Sequence, residues 1–254
     1  MVKITVEILE QEYLANKLTS HEIAAKYGCS ATWVNNLRKK HGIRTLQPWE
    51  RNEQQQLSQR QKEYIYGALL GDDCLKRHHA TGNAYLKVSH AESQVEYVRL
   101  KYEIMHDFVK TGTSVQRDKR PNRQNQIVFR TICHPVFTKV YEEIYQLGRK
   151  TLSSECLEQL TPFGLAVWYM DDGSLTLSNK QMRISTEAFT YQEQCLLQTF
   201  LTNKWGIHSC LKPSPADGKW VLYFDATERD KFFALISPYV IDCMRYKLYH
   251  RGKT

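Results

Sequence analysis

Two apolar runs that each end in paired acids stand 100 residues apart, "YIYGALLGDD" (64–73) and "GLAVWYMDDG" (164–173), with Asp172 matching Asp72. Either run alone reads as a helix stopped by ordinary Asp-Gly turn chemistry. An acid is poorly placed at a helix C-terminus, where the dipole is negative, so a second copy needs a reason. The segments after each run repeat as well. After Asp72 come "AYLKVSH", the helical "SQVEYVRLKYEIMHDFV", the basic turn "RDKRPNRQNQ", "IVFRT", the helical "HPVFTKVYEEIYQLG" and Lys150. After Asp172 come "QMRIST", "YQEQCLLQTFLTNKWG", "PSPADGK", "WVLYFDA", "ERDKFFALISPYV" and Lys247. From Asp72 to Lys150 is 78 residues, and from Asp172 to Lys247 is 75. Self-similarity at such a period predicts an α+β chain with two pseudo-symmetric copies of one αββαββα unit.

Gly67 and Gly71 are four apart, so they share a helix face and permit close approach of a second helix. Val167 and Asp171 occupy those positions in the second run, which leaves the seam to Ala166 and the partner's glycines. Parallel packing about a pseudo-twofold axis brings Asp72 and Asp172 together at one end. Like charges about 4 Å apart in partly buried surroundings repel by several kcal/mol. A shared proton or a divalent cation resolves this. Oxygen-only donors in a basic protein favour Mg²⁺, which takes one or two carboxylates plus substrate phosphate.

Charge points to the same kind of partner. Against 27 Asp+Glu stand 35 Lys+Arg, a net charge of +8, which makes a polyanion the leading expectation. The 7 cysteines are scattered, odd in number and never in a CxxC, which excludes a disulfide framework and a zinc site. The start "MVKITVEILEQEY" is charged throughout, unlike a secretory signal. The apolar stretch around Leu165–Met170 is far shorter than the ~20 residues a membrane span needs. The chain is expected to be soluble and intracellular, in a bacterium, a phage-infected cell or an organelle.

Residues 1–45 differ in character. "TSHEIAAKYG" opens at a plausible N-cap, Thr19 or Ser20, and carries Ile23, Ala24 and Tyr27 on one face. A tight turn at Gly28 leads into "ATWVNNLRKKHGIR", completing a helix-turn-helix pattern. In that arrangement Ser30, Thr32, Trp33, Asn35 and Asn36 lie near a DNA groove, with Arg38, Lys39 and Lys40 near phosphate. A Gln-rich linker occupies 46–60. The repeated units are 61–152 and 153–254.

"IYGALLGDD" and "LAVWYMDDG" resemble the two signature motifs of single-chain LAGLIDADG homing endonucleases. The resemblance covers about 195 residues and includes "LTPFGLAVWYMDDG", "STEAFTYQE" and the late "YKL". It implies a saddle whose antiparallel sheets lie in the DNA major groove, with divalent metal held by the last acid of each motif. Those acids are Asp72 and Asp172, and the carbonyls of Gly71 and Asp171 are candidates to complete the metal shells. Asp73 stands where the family often has Gly or Ala. Lys150 and Lys247 match the family's basic active-site positions and would stabilise charge or help to deprotonate water. Mg²⁺ or Mn²⁺ is the implied cofactor, with Ca²⁺ expected to bind without supporting cleavage.

Double-stranded DNA is the implied partner of a monomer, cut on both strands with short 3′ overhangs. Readout is expected on the strands and turns. Candidates are Lys76, Arg77, His79, Lys87, Arg117, Lys119, Arg123 and Arg130 in the first half, and Lys180, Arg183, Lys212 and Lys219 in the second. The helix-turn-helix departs from the minimal family pattern and would extend the recognised site through linked binding. The alternative is an RNA-binding maturase acting on intron RNA, or a protein with both activities.

Overall fold

The computed structural model describes residues 4–117, 124–175, 181–214 and 218–248. Its contacts divide the chain into two compact units, Met1–Gln55 and Gln56–Thr254.

In the first unit α1 (Val6–Glu10) runs into a π-helical turn, Gln11–Ala15. Next come α2 (Ser20–Tyr27), α3 (Ala31–Lys40) and the short α4 (Pro48–Arg51). Thr19 caps α2 in a reciprocal box with Glu22, satisfying orphan donors at both residues. Gly28 ends α2 in the left-handed region (φ 65°), where a side chain would strain the turn. Ser30 then caps α3. Leu9, Tyr13, Ile23, Val34, Ile43 and Leu46 fill the core. On α3 the exposed residues Thr32, Trp33, Asn36, Lys39 and Lys40 fall within about 120° of arc at 3.6 residues per turn.

The second unit is built around α5 (Gln59–Leu70) and α9 (Pro162–Asp172), which carry the two apolar runs. After α5 come β1 (Cys74–Arg77), β2 (Ala84–Ala91), α6 (Val95–Met105), β3 (Ser114–Gln116), β4 (Gln126–Arg130) and α7 (Pro135–Ile144). A hairpin of β5 (Tyr145–Gln146) and β6 (Arg149–Lys150) and the short α8 (Ser154–Glu158) lead to α9. After α9 come β7 (Gly173–Leu175), β8 (Met182–Ile184), α10 (Tyr191–Trp205), β9 (Cys210–Pro213), β10 (Trp220–Phe224) and α11 (Ala226–Ile236). The two antiparallel sheets have equivalent strand order, β1-β2-β4-β3 and β7-β8-β10-β9. Each sheet turns one face to the helices: Leu75, Leu86, Val88 and Phe129 from the first and Met182, Ile184, Leu222 and Phe224 from the second are buried.

The two central helices meet along a glycine seam. A Cβ on Gly67 would lie 2.2 Å from the carbonyl oxygen of Gly164, and one on Gly71 would lie 2.6 Å from Cβ of Asp171. Both are inside any tolerable contact. Close approach at Gly67 therefore rests on Gly164, two residues earlier than the expected Ala166. Both helices are buried nearly all round because the seam occupies one face and the sheets and outer helices cover the rest. That explains why the run from Phe163 to Met170 is unbroken by polar residues.

Candidate active site

The seam delivers the C-terminal ends of α5 and α9 to one place. Asp72 follows α5 with its side chain half exposed. Asp172, the last residue of α9, is mostly buried, and its carboxyl is pushed up to about 7. Burial is the main cause, followed by the charges of Asp72 and Asp171, with Lys150 and Lys247 opposing. A buried acid held beside two other carboxylates gains from a bound cation.

Two lysines reach the same helix ends. Lys150, on β6, donates from Nζ to the carbonyl oxygens of Gly71 (2.8 Å) and Asp73 (2.7 Å). Lys247, at the end of the 3₁₀ turn Asp242–Lys247, donates to the carbonyls of Met170 (2.5 Å) and Asp171 (3.0 Å). Each lysine thus satisfies carbonyls that the end of its helix leaves unpaired. Burial lowers both lysines below their ordinary range, with the surrounding carboxylates pulling the other way. The carbonyls of Gly71 and Asp171, expected as metal donors, accept from ammonium groups here.

Beneath the paired acids lies a network that sequence reasoning missed. Lys101 of α6 is fully buried. Its Nζ lies 2.9 Å from Asp171 Oδ1, 3.1 Å from Asp73 Oδ1 and 2.8 Å from His90 Nε2. Tyr64 Oη donates to Asp73 (2.5 Å) and Tyr97 Oη to Asp171 (2.8 Å). Burial works against the charge on Lys101, but the two carboxylates outweigh it and hold the group above its usual value. His90 Nδ1 is 3.7 Å from Asp72 Oδ2, and Asp72, His90 and Asp171 bring ligand atoms within 4.8 Å of one another. The signal for Lys101 was present: in "VEYVRLKYEIM" it stands on the stripe with Tyr97, Val98 and Met105, all buried. A lysine on a core stripe asks for a buried anion.

On the open face of the first sheet, Lys76, Lys87 and Arg130 line one cavity of about 480 Å³ with Tyr85, Ser114 and Gln116. Cross-strand register puts Lys87 beside Arg130 and Lys76 beside Tyr85. His79 and Arg117 are exposed beyond the strand ends. On the second sheet Arg183 donates to Ser174 Oγ, Lys212 lies 4.6 Å from the ring centre of Tyr223, and Lys219 is exposed before β10.

Other candidates lie elsewhere. Arg77 has the opposite strand parity: it pairs with Glu142 of α7 at 2.7 Å and lies over Tyr141, so it serves the helix-covered face. Arg38 is buried, donating to the carbonyl of Ile43 (2.8 Å) and lying over Tyr13, away from any phosphate path. Asn35 accepts from Ser20 Oγ (2.8 Å), which ties α3 to α2. Ser30 spends its hydroxyl on capping α3. Lys119, Arg123 and Lys180 lie outside the described residues. All 7 cysteines are free thiols, and among the described residues no helix is long and apolar enough to cross a membrane.

The chain is 30% identical over 212 residues to the RecA protein of Mycolicibacterium flavescens, covering 78% of this chain and 48% of that protein. It thus spans about half the length of that protein. It is 29% identical over 208 residues to the DNA endonuclease I-ChuI of Chlamydomonas applanata, covering 76% of this chain and 95% of that one. It is 24% identical over 221 residues to the cytochrome b mRNA maturase bI2 of Debaryomyces hansenii, covering 85% and 84%. Among solved structures, the homing endonuclease I-WcaI bound to its DNA recognition sequence shares the fold, with a TM-score of 0.71 and 23% identity over 78% of this chain and 89% of that one. The LAGLIDADG DNA endonuclease family model matches residues 62–232, and the chain belongs to that family.

Proposed function

We propose that the chain is a site-specific homing endonuclease that makes a metal-dependent double-strand break with short 3′ overhangs, promoting mobility of its host intron or intein. One observation carries this reading: two acids stand at converging helix ends, and a half-buried lysine from near the end of each half donates to the backbone carbonyls beside them.

The donor set fits a hard divalent cation. Asp72 and Asp172 offer carboxylate oxygens, and Asp172 is raised first by burial and then by the neighbouring charges of Asp72 and Asp171, which a cation would offset. Mg²⁺ or Mn²⁺ is the cofactor we assign. Such a cation supplies positive charge to a phosphodiester and lowers the pKa of water. Lys150 and Lys247 are held near the same point by backbone carbonyls, and their burial makes them readier than surface lysines to give or take a proton. Asp72 and Asp172, with the carbonyls of Gly71 and Asp171, would hold the cation, and Lys150 and Lys247 would stand beside it to stabilise charge on substrate phosphate. Two such centres, one per half, serve the two strands.

In this reading two pseudo-symmetric halves form a saddle on double-stranded DNA. Lys76, Lys87 and Arg130 face the groove from the first sheet, and Arg183 and Lys212 from the second. Arginines suit bidentate contacts to guanine, while exposed lysines suit phosphate. The first unit, residues 1–55, adds a second DNA reader through Thr32, Trp33, Asn36, Lys39 and Lys40. A maturase-type role on intron RNA is the second reading, and the likeness to the bI2 maturase favours keeping it in view. Cleavage separates the two. Asp172→Asn should abolish double-strand cutting in Mg²⁺ while leaving DNA binding in Ca²⁺ intact. Normal cutting by that variant would refute the assignment, and tight intron-RNA binding with no DNA cleavage by the parent would favour the maturase.

A further inference from the structure

Resting on that reading, we infer that Lys101 is a positioning residue for cleavage, a fixed internal cation that sets the two metal-holding acids through their neighbours Asp73 and Asp171. Two carboxylates and a histidine nitrogen surround its Nζ within 3.1 Å, a donor set that would otherwise suit a metal ion. The ammonium fills that place and is bonded into the protein. A divalent ion is therefore kept out of the interior and left to the exposed side of the acids, where phosphate can reach it. Because Asp73 follows Asp72 and Asp171 precedes Asp172, one buried group fixes the backbone on both sides of the seam. Tyr64 and Tyr97 complete the carboxylates' hydrogen bonds, so neither acid can rotate without stranding a buried partner.

Among the described residues, the second half holds no counterpart of Lys101 and His90. Ser174 pairs with Arg183 as Cys74 pairs with Lys87, which places Thr186 where the first half has His90. Thr186 is spent on Gln194 and the carbonyl of Trp220. On α10 the fully buried positions Leu197 and Leu201 carry no charge. The second centre thus borrows its alignment from the first half, through Asp171.

The experiment begins with the full chain, Mg²⁺ and a plasmid library bearing a randomised insert, and the sites cut are recovered by sequencing. Lys101→Met and the double variant Lys101→Met with Asp73→Asn are then compared on a recovered site. Lys101→Met should bind that DNA in Ca²⁺ with unchanged affinity yet cut it about 100-fold more slowly at saturating DNA, the scale of a 1 Å misplacement. Removing the Asp73 charge should recover part of the thermal midpoint but not kcat, because Asp171 keeps Tyr97 but still lacks its ammonium partner. Parental cutting by Lys101→Met overturns the inference. So does recovery of both midpoint and kcat in the double variant, which would make the lysine a purely structural post. If Lys101→Met alone does not fold, the double variant decides by the same two readouts, and failure of both to fold counts against positioning. A parent that cuts nothing removes the endonuclease reading and this inference together. A parent that cuts while Lys101→Met is unaffected removes only the inference.

Discussion

Gly67→Ala tests the seam on which everything else depends. The added Cβ would sit 2.2 Å from the carbonyl oxygen of Gly164 and 2.7 Å from its Cα and carbonyl carbon. All three are backbone atoms, so no side chain can rotate away, and α5 and α9 must part by about 1 Å to reach ordinary contact. Alanine favours a helix over glycine by up to about 1 kcal/mol, which works against the effect. Overpacking costs about 1–3 kcal/mol where side chains can yield, and backbone contact places this site at the upper end. A net loss of about 2 kcal/mol lowers the melting midpoint by roughly 4–8 °C in a unit of this size. The same separation moves Asp72 from Asp172, so cleavage should fall by about 100-fold. Gly164→Ala is the internal control: its Cβ meets Glu63 O and Leu160 Cδ1 at 3.0 Å, a milder overlap that should cost less. Calorimetry and a cleavage time course on all three proteins decide it. A Gly67→Ala protein that melts and cuts like the parent would refute the close seam, as would Gly164→Ala proving the more damaging of the two.

Two further predictions concern charge and the first unit. Asp172 is raised from 3.8 to about 7, so the folded metal-free protein binds an extra proton between those values. Its contribution to stability is present at low pH and is lost as pH rises through that window, the reverse of a salt-bridged acid. The metal-free protein should therefore lose stability from pH 5 to 8, Asp172→Asn should flatten that loss, and Mn²⁺ affinity should climb over the same range as the proton is displaced. An Mn²⁺ titration independent of pH would contradict this. In the first unit, Arg38→Ala should lower the thermal stability of residues 1–55 by removing a buried hydrogen bond and a stacked cation. Asn36→Ala and Lys40→Ala should leave that stability unchanged but shorten the DNA footprint. A full-length footprint with both replaced would remove the unit from recognition.

The repeated acid-tipped helices were legible because they combine an unbroken apolar run with a fixed spacing, and the strand order after each follows from alternation and turn residues. Asp72 and Asp172 could be singled out for the same reason. Gly164 was hidden because the 100-residue register pairs Gly67 with Val167, whereas crossing helices bring together positions that are not equivalent. Arg77 was misassigned because a short strand gives little parity signal, and Glu142, its partner, lies 65 residues on. Arg38 looked like one of three exposed cations, although its position one turn after Val34 places it inward. Lys101 was concealed by composition: in a chain with 35 basic residues, one more lysine on a helix draws no notice until its burial is seen.

The lysines at the two helix ends also bear on the order of assembly. Lys150 reaches back 79 residues to Gly71, and Lys247 reaches back 77 to Met170. Each half therefore contains a closed loop, from the C-terminal end of its first helix to a lysine near its own end. Contacts of such long sequence separation carry the largest closure entropy and form after the local helices and hairpins. A chain still folding can hold its sheets, and its basic surface, before it holds either centre. On the proposed reading, an immature protein would engage DNA before it could cut it, and cutting would wait on the closing of both loops.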